Sequence, residues 1–342
     1  MNPLVVVDPS AVDRLRESLA RDRILYEPRP SDDGAEWERA EASASFAWDA
    51  RLPLSGIKRF FFPPSETLLS WKDGGFREAR SEIAPFALFG VRSCDLAALA
   101  YQDRFFADDP YYAARRWQAL VIGASCLAAC PGGFCVEVDA GPFAREGYDL
   151  ALTRLGDEAV MAQVGSAAGA SALEAARIPL RDPRDDERAR WSEARQRAEK
   201  SFVRRPFIRS AIARIQGRMG AAALADAEWQ ELGPSCFACT GCTSLCPTCS
   251  CYTIEDESRG EGFERRRLWD SCLLEGFQRE ASGHHPAPQA GDRVRRFWTH
   301  KLGEEFEREL GRLGCVGCGR CDVTCPGQIG AQSVLGRLGG ER

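Results

Sequence analysis

With 342 residues the chain is long enough for two domains of roughly 150 residues each. Its 44% apolar and 28% charged composition describes packed cores rather than a disordered polymer. A formal charge of −5 offers no basic stripe, so no nucleic-acid partner is expected. The N-terminus, MNPLVVVDPSAVDRL, lacks the basic and apolar regions of a secretory signal, and no stretch approaches the ~18 apolar residues of a membrane span. A cytoplasmic protein is the expectation. Fifteen cysteines, odd in number and tightly grouped, then point to metal ligation rather than disulfides, because the cytosol keeps thiols reduced.

In chain order, the first 180 residues read as an α/β domain. Residues 4–7 predict a short strand, followed by a helical pattern through Val12, Leu15 and Leu19. Residues 59–62 (RFFF) form a short apolar segment that stops at Pro63 and Pro64, and 65–71 resume as a second. Two further strands, 84–91 (APFALFGV) and 119–122 (ALVI), each run into a cysteine-bearing loop, with Asp95 placed to cap a helix after the first. Residues 148–153 complete the strands, and 166–176 predict a small-residue helix. Strand, cysteine loop, helix suggests a site built at strand ends. Residues 181–232 read as a charged helical connector: a charge-dense helix, then an amphipathic stripe of Phe202, Phe207, Ile208, Ile212 and Ile215, then a short helix over 221–229.

The final domain, 233–342, carries an internal repeat. Its halves are Cys236-x2-Cys239-x2-Cys242-x3-Cys246-Pro247 and Cys315-x2-Cys318-x2-Cys321-x3-Cys325-Pro326. Three thiolates at this spacing wrap three irons of a cubane, and in two-cluster ferredoxins the fourth cysteine serves the other cluster. The expected ligand sets are therefore crossed: Cys236, Cys239, Cys242 and Cys325 for one [4Fe–4S] cluster, Cys246, Cys315, Cys318 and Cys321 for the second. Each proline steers the chain out of its ligand loop, and Gly241, Gly317 and Gly319 leave room for tight bends around inorganic sulfide. Zinc is the competing reading, but zinc sites usually pair two C-x2-C knuckles and stop at four ligands. The 68 residues between the runs, 247–314, show helical patterning over 263–279 and 292–310. This predicts an α-helical ferredoxin domain of the kind that relays electrons.

Seven cysteines lie outside the runs. Cys94, Cys126, Cys130 and Cys135 come from the two N-terminal loops and are candidates for a third iron–sulfur cluster; reduced thiols or a zinc site are the alternatives. Cys249, Cys251 and Cys272 either border another centre or are apolar thiols packed around the clusters, and the second reading is preferred. His284 and His285 read as loop residues of structural or surface type. No G-x-G-x-x-G follows a strand and no P-loop is present, so no pyridine-nucleotide or ATP site is expected here, and any hydride chemistry is expected on a partner.

The segments FFFPPSETL, FGVRSCDLAAL, DPYYAARR, GYDLALTRLGD, CFACTGCTSLCPTCSCYTIED, WDSC and CVGCGRCDVTCPGQI together resemble the 4Fe–4S dicluster β subunit of soluble [NiFe] hydrogenases, the sulfhydrogenases, and are similar to the A subunit of anaerobic sulfite reductase. The resemblance implies an electron-transfer subunit between a flavin-containing NAD(P)H-oxidoreductase subunit and the hydrogenase small and large subunits, or sulfite reductase subunits in the alternative. It carries a third cluster over to Cys94, Cys126 and Cys135. At Cys130 the chain departs from the family pattern, which has a C-x-C ahead of the glycine-rich segment where Gly132-Gly133-Phe134-Cys135 stands here. A redox-sensing or assembly protein without a relay role is the reading from another class.

Overall fold

In the computed structural model, which describes residues 3–32, 34–40, 45–79, 82–217 and 224–340, eleven strands follow one another along the chain. They are β1 (Leu4–Val7), β2 (Ile24–Ser31), β3 (Gly34–Arg39), β4 (Ser65–Lys72), β5 (Gly75–Glu78), β6 (Phe86–Val91), β7 (Ala119–Ala124), β8 (Leu150–Arg154), β9 (Val160–Val164), β10 (Tyr252–Arg259) and β11 (Gly262–Trp269). The chain divides into two units. The first comprises Met1–Ile57, Ile83–Arg204 and Val316–Cys318; the second comprises Lys58–Glu82, Arg205–Cys315 and Gly319–Arg342. No helix among the described residues is long and apolar enough to cross a membrane.

The first unit is built on a seven-stranded mixed sheet in the order β1-β9-β8-β7-β6-β2-β3. Its centre is parallel, with β2, β6, β7 and β8 side by side, and antiparallel strands close both edges. Parallel strands covered on both faces need apolar residues throughout, which is why β6 reads FALFGV and is buried at every position. Helix Ser10–Asp22 lays Val12, Leu15 and Leu19 against this sheet, where they join Phe89, Ile122, Leu150 and Leu173 in one core. The helix predicted over 166–176 spans Ala167–Ala175, and Ser166 caps it by accepting the Gly169 N–H.

The charge-dense segment forms helix Asp185–Lys200, anchored by the buried Ala194 and Ala198. At its start the fully buried Glu187 accepts hydrogen bonds from Arg181 (2.7 Å) and from the Arg184 backbone N–H (2.9 Å). The Arg181 guanidinium, followed by the Arg184 contacts, holds the Glu187 carboxyl well below the ordinary glutamate range. A carboxyl depressed in the folded state contributes stability that is complete above its unfolded pKa and is lost as pH falls through the folded one. The gap in Tm between the native chain and Glu187→Gln is therefore expected to be widest near neutrality and to close as pH drops from ~5 towards ~2. Thermal melts over that range check it; a gap that widens on acidification would contradict the assignment.

The second unit carries both cysteine runs. It holds a four-stranded antiparallel sheet in the order β10-β11-β4-β5, together with helices Pro206–Ile215, Asp226–Leu232, Ala290–Leu302, Glu304–Leu310 and Ala331–Gly339. The helix expected over 263–279 is instead strand β11 followed by turns. The reason lies in its partners. Arg265 pairs with Asp256 and Arg266 with Glu257 across β10, while Arg267 is buried against Glu66 of β4 and Phe263 stacks on Trp71. Such cross-strand pairs stabilise a sheet and are invisible to a helical periodicity count. The unit is thus mixed α/β rather than helical throughout. Over 292–310 the helical expectation meets two helices separated at Gly303. Of the segment 221–229, residues 221–223 lie outside the described residues, and the helix there is Asp226–Leu232.

Residues 58–82, placed by sequence in the first domain, belong to this second unit because β4 hydrogen-bonds to β11. The short apolar segment 59–62 begins in a helical turn, Lys58–Phe61.

Candidate metal centres

The two runs adopt the same local path. After a tight turn each enters a one-turn helix, Gly241–Leu245 in the first and Arg320–Thr324 in the second, and leaves it extended at Cys246 and Cys325. Between the first and third cysteines, two residues of each run take left-handed backbone angles. In the second run these are Gly317 (φ 62°) and Gly319 (φ 77°), as expected. In the first run they are Ala238 (φ 50°) and Thr240 (φ 64°), not Gly241. An L-residue in this conformation costs about 1 kcal/mol or more, so the loop geometry is enforced against local preference. Gly241 serves close packing instead: a Cβ there would stand 2.9 Å from Thr324 Oγ1.

Cys236, Cys239, Cys242 and Cys325 line one cavity, with Cys321 also on its wall. The remaining wall is largely apolar, formed by Leu273, Val294, Phe297, Trp298 and Ile329. Burial, then the proximity of the sulfurs of Cys246, Cys236, Cys325 and Cys239, pushes the Cys242 thiol up to about 12. Thiolates crowded into such a place require positive charge in their midst, and iron supplies it. The donor set and the cavity therefore fit a sulfur-ligated iron cluster. Among the described residues, no three His, Cys, Asp or Glu side chains are grouped so as to hold a single metal ion.

Beside this cavity, Cys249, Cys251 and Cys272 gather near Cys246, with Cys249 and Cys272 buried. The Cys249 thiol donates to Cys246 and the Cys272 thiol to Cys251; the donation holds Cys246 well below the ordinary thiol range and brings Cys251 down to about 6. Two buried lysines face the group. Lys58 Nζ donates to the Thr243 carbonyl at 3.2 Å and lies 3.9 Å above the Trp269 ring. Lys301 Nζ donates to Thr248 Oγ1 at 2.9 Å. Neither lysine was singled out from sequence, yet one signal was available: Lys301 falls on the apolar stripe of its helix with Val294, Phe297 and Trp298, at the i, i+3, i+4, i+7 positions that face a core. His284 is exposed and His285 bonds the Glu275 carbonyl, in keeping with a loop role.

In the first unit, β6 and β7 are adjacent and parallel, so the loops that follow them emerge at the same sheet edge. Cys94 opens helix Ser93–Phe105, and Cys126, Cys130 and Cys135 follow β7. The Pro142 carbonyl ties the two loops together, accepting from Ser93 Oγ and from the Cys126 N–H at 3.2 Å. Gly141 allows the close approach: a Cβ there would lie 2.8 Å from Cys135 Sγ and 3.5 Å from Ser93 Cβ. Burial raises the Cys135 thiol, and the nearby sulfurs of Cys126, Cys130 and Cys318 add to the shift. Cys318 is held close by the Phe134 N–H, which donates to the Gly317 carbonyl at 2.8 Å.

Comparison with known proteins agrees with these features. The 4Fe-4S dicluster domain family matches residues 235–329, which contain both runs. The chain is 31% identical over 288 residues to sulfhydrogenase 2 subunit beta of Pyrococcus furiosus, an alignment covering 81% of this chain and 83% of that protein. No solved structure matches. With a relative this similar over most of both lengths, and with the dicluster domain placed on the paired cysteine runs, the chain belongs to the sulfhydrogenase β-subunit family.

Proposed function

We propose that this chain is the iron–sulfur relay of a cytoplasmic hydrogenase complex, passing electrons between a flavin-containing NAD(P)H-oxidoreductase subunit and the [NiFe] small and large subunits. The observation that carries the reading is the cavity shared by three cysteines of the first run and the fourth cysteine of the second. That arrangement supports the crossed assignment: Cys236, Cys239, Cys242 and Cys325 hold one [4Fe–4S] cluster, and Cys246, Cys315, Cys318 and Cys321 hold the other. The thiols of Cys94, Cys126, Cys130 and Cys135, brought to one sheet edge, support a third cluster there.

Bound clusters supply one-electron carriers whose potentials depend on charge, hydrogen bonds and burial. The protein holds the sulfurs in place. Phe297, Trp298, Val294 and Leu273 line the first centre, and short loops fixed by left-handed residues present the ligands with little freedom to relax on oxidation or reduction.

The complex, purified without oxygen, is expected to contain nickel and to bleach its broad cluster absorbance on adding NADPH or NADH. Sirohaem in place of nickel would assign the relay to a sulfite-reducing complex. Clusters that no pyridine nucleotide reduces in the intact complex would remove the relay reading altogether.

A further inference from the structure

The surroundings of Cys246 differ in kind from those of the apolar cavity. Its sulfur lies 3.2 Å from Thr248 Oγ1, and that hydroxyl accepts from Lys301 Nζ at 2.9 Å and donates to the Gly314 carbonyl. The Thr248 backbone N–H and the Cys249 thiol are further donors to the same sulfur. Thr248 is 1% and Lys301 5% exposed, so this cation acts with little screening by water or salt. Lys58 stands on the same group of sulfurs, facing Cys249, Cys246 and Cys251. No cation is among the neighbours that act on Cys242, which are the sulfurs of Cys246, Cys236, Cys325 and Cys239; a backbone N–H, that of Ile329, donates to Cys325 Sγ at 3.4 Å.

We propose that Lys301, acting through Thr248, raises the reduction potential of the centre ligated by Cys246 above that of the centre ligated by Cys236, Cys239, Cys242 and Cys325. The proposal rests on Cys246 being a cluster ligand, as set out above. Reduction adds one negative charge to a centre. A buried ammonium held one hydroxyl away from a ligating sulfur stabilises that charge through space, and apolar walls do not. With both clusters bound, that order of potentials would favour a one-electron reduction of the Cys246 centre at the expense of the Cys236 centre, with no bond or proton changing place. Lys301 and Thr248 are positioning residues: they set the direction of the step without carrying the electron. A lysine on the buried stripe of an amphipathic helix costs desolvation, and this role gives that cost a physical purpose.

The test is an anaerobic, EPR-monitored titration with dithionite on the full chain in its complex. In Lys301→Met, one of the two ferredoxin-run centres is expected to become harder to reduce by at least tenfold in its one-electron equilibrium, about 59 mV, while the other stays put. Lys301→Arg, which keeps the charge, should recover most of the shift. Unchanged potentials with full iron content would overturn the proposal. Should Lys301→Met lose iron, Thr248→Val, which removes the bridging hydroxyl but no charge, decides the matter: a downward shift of the same centre supports the proposal and no shift overturns it. Cys246→Ser separates the two levels. If it leaves both centres and their spectra unaltered, the ligand assignment fails, whatever the lysine does.

Discussion

Cys325→Ala is expected to remove the cluster of the opposite run: the chain should lose about four iron and four sulfide while the centre of Cys315, Cys318 and Cys321 persists. The reason is the shared cavity. Cys325 leaves its helix Arg320–Thr324 extended and reaches the same space as Cys236, Cys239 and Cys242. A double-mutant comparison makes the test sharp, because groups acting as one unit do not add. Cys239→Ala and Cys325→Ala should each cost one cluster, and the double variant should cost no more than either. Iron and acid-labile sulfide, counted on anaerobic preparations, check it. Loss of two clusters in the double variant would show that the runs bind independently, each with its own fourth cysteine.

Gly327→Ala is the second change with a large expected effect. Gly327 follows the Cys325-Pro326 pair, and an added Cβ would fall 1.8 Å from the Ser235 carbonyl oxygen and 3.0 Å from its carbon. The obstacle is backbone, not a side chain that can swing away, and it belongs to the residue just before Cys236. Accommodating it means moving one run against the other. Overpacking of this sort costs about 3 kcal/mol or more. A fall in Tm and incomplete loading of the Cys236 centre should appear together. Gly276→Ala is the control: a Cβ there meets no heavy atom within 4 Å among the described residues, so its stability should stay within about 0.5 kcal/mol of the native value. If both variants behave alike, the packing of Gly327 on Ser235 is not what holds the two runs in register.

Much of the chemistry was legible before any fold was known. Ligand spacing is a local property, and the two runs declare themselves within eleven residues each. The strands β6 and β7 were legible for a related reason: a parallel strand covered on both faces must be apolar at every position, and FALFGV and ALVIGA have no other ready reading. The cysteine loops after them followed directly.

Other features were hidden because their cause is non-local. Strand β11 carries the run Arg265-Arg266-Arg267, which looks like a solvated helix until Asp256 and Glu257 appear across one side and Glu66 across the other. The same pairing draws residues 58–82 into the second unit and so delivers Lys58 to the thiols. The left-handed residues of the first run are Ala238 and Thr240 although a glycine stands next to them, since the path around the ligands is imposed by the loop as a whole.

By itself, the sequence pointed to iron–sulfur chemistry and to the family, because these rest on residue identity at fixed spacing. The tertiary structure decided which sulfurs share a cavity and which cations face them. It placed Cys236, Cys239, Cys242 and Cys325 within apolar walls, and it placed Lys301 and Thr248 against Cys246. Reduction potential depends on charge and burial within a few ångströms, and those neighbours come from distant parts of the chain that only folding brings together.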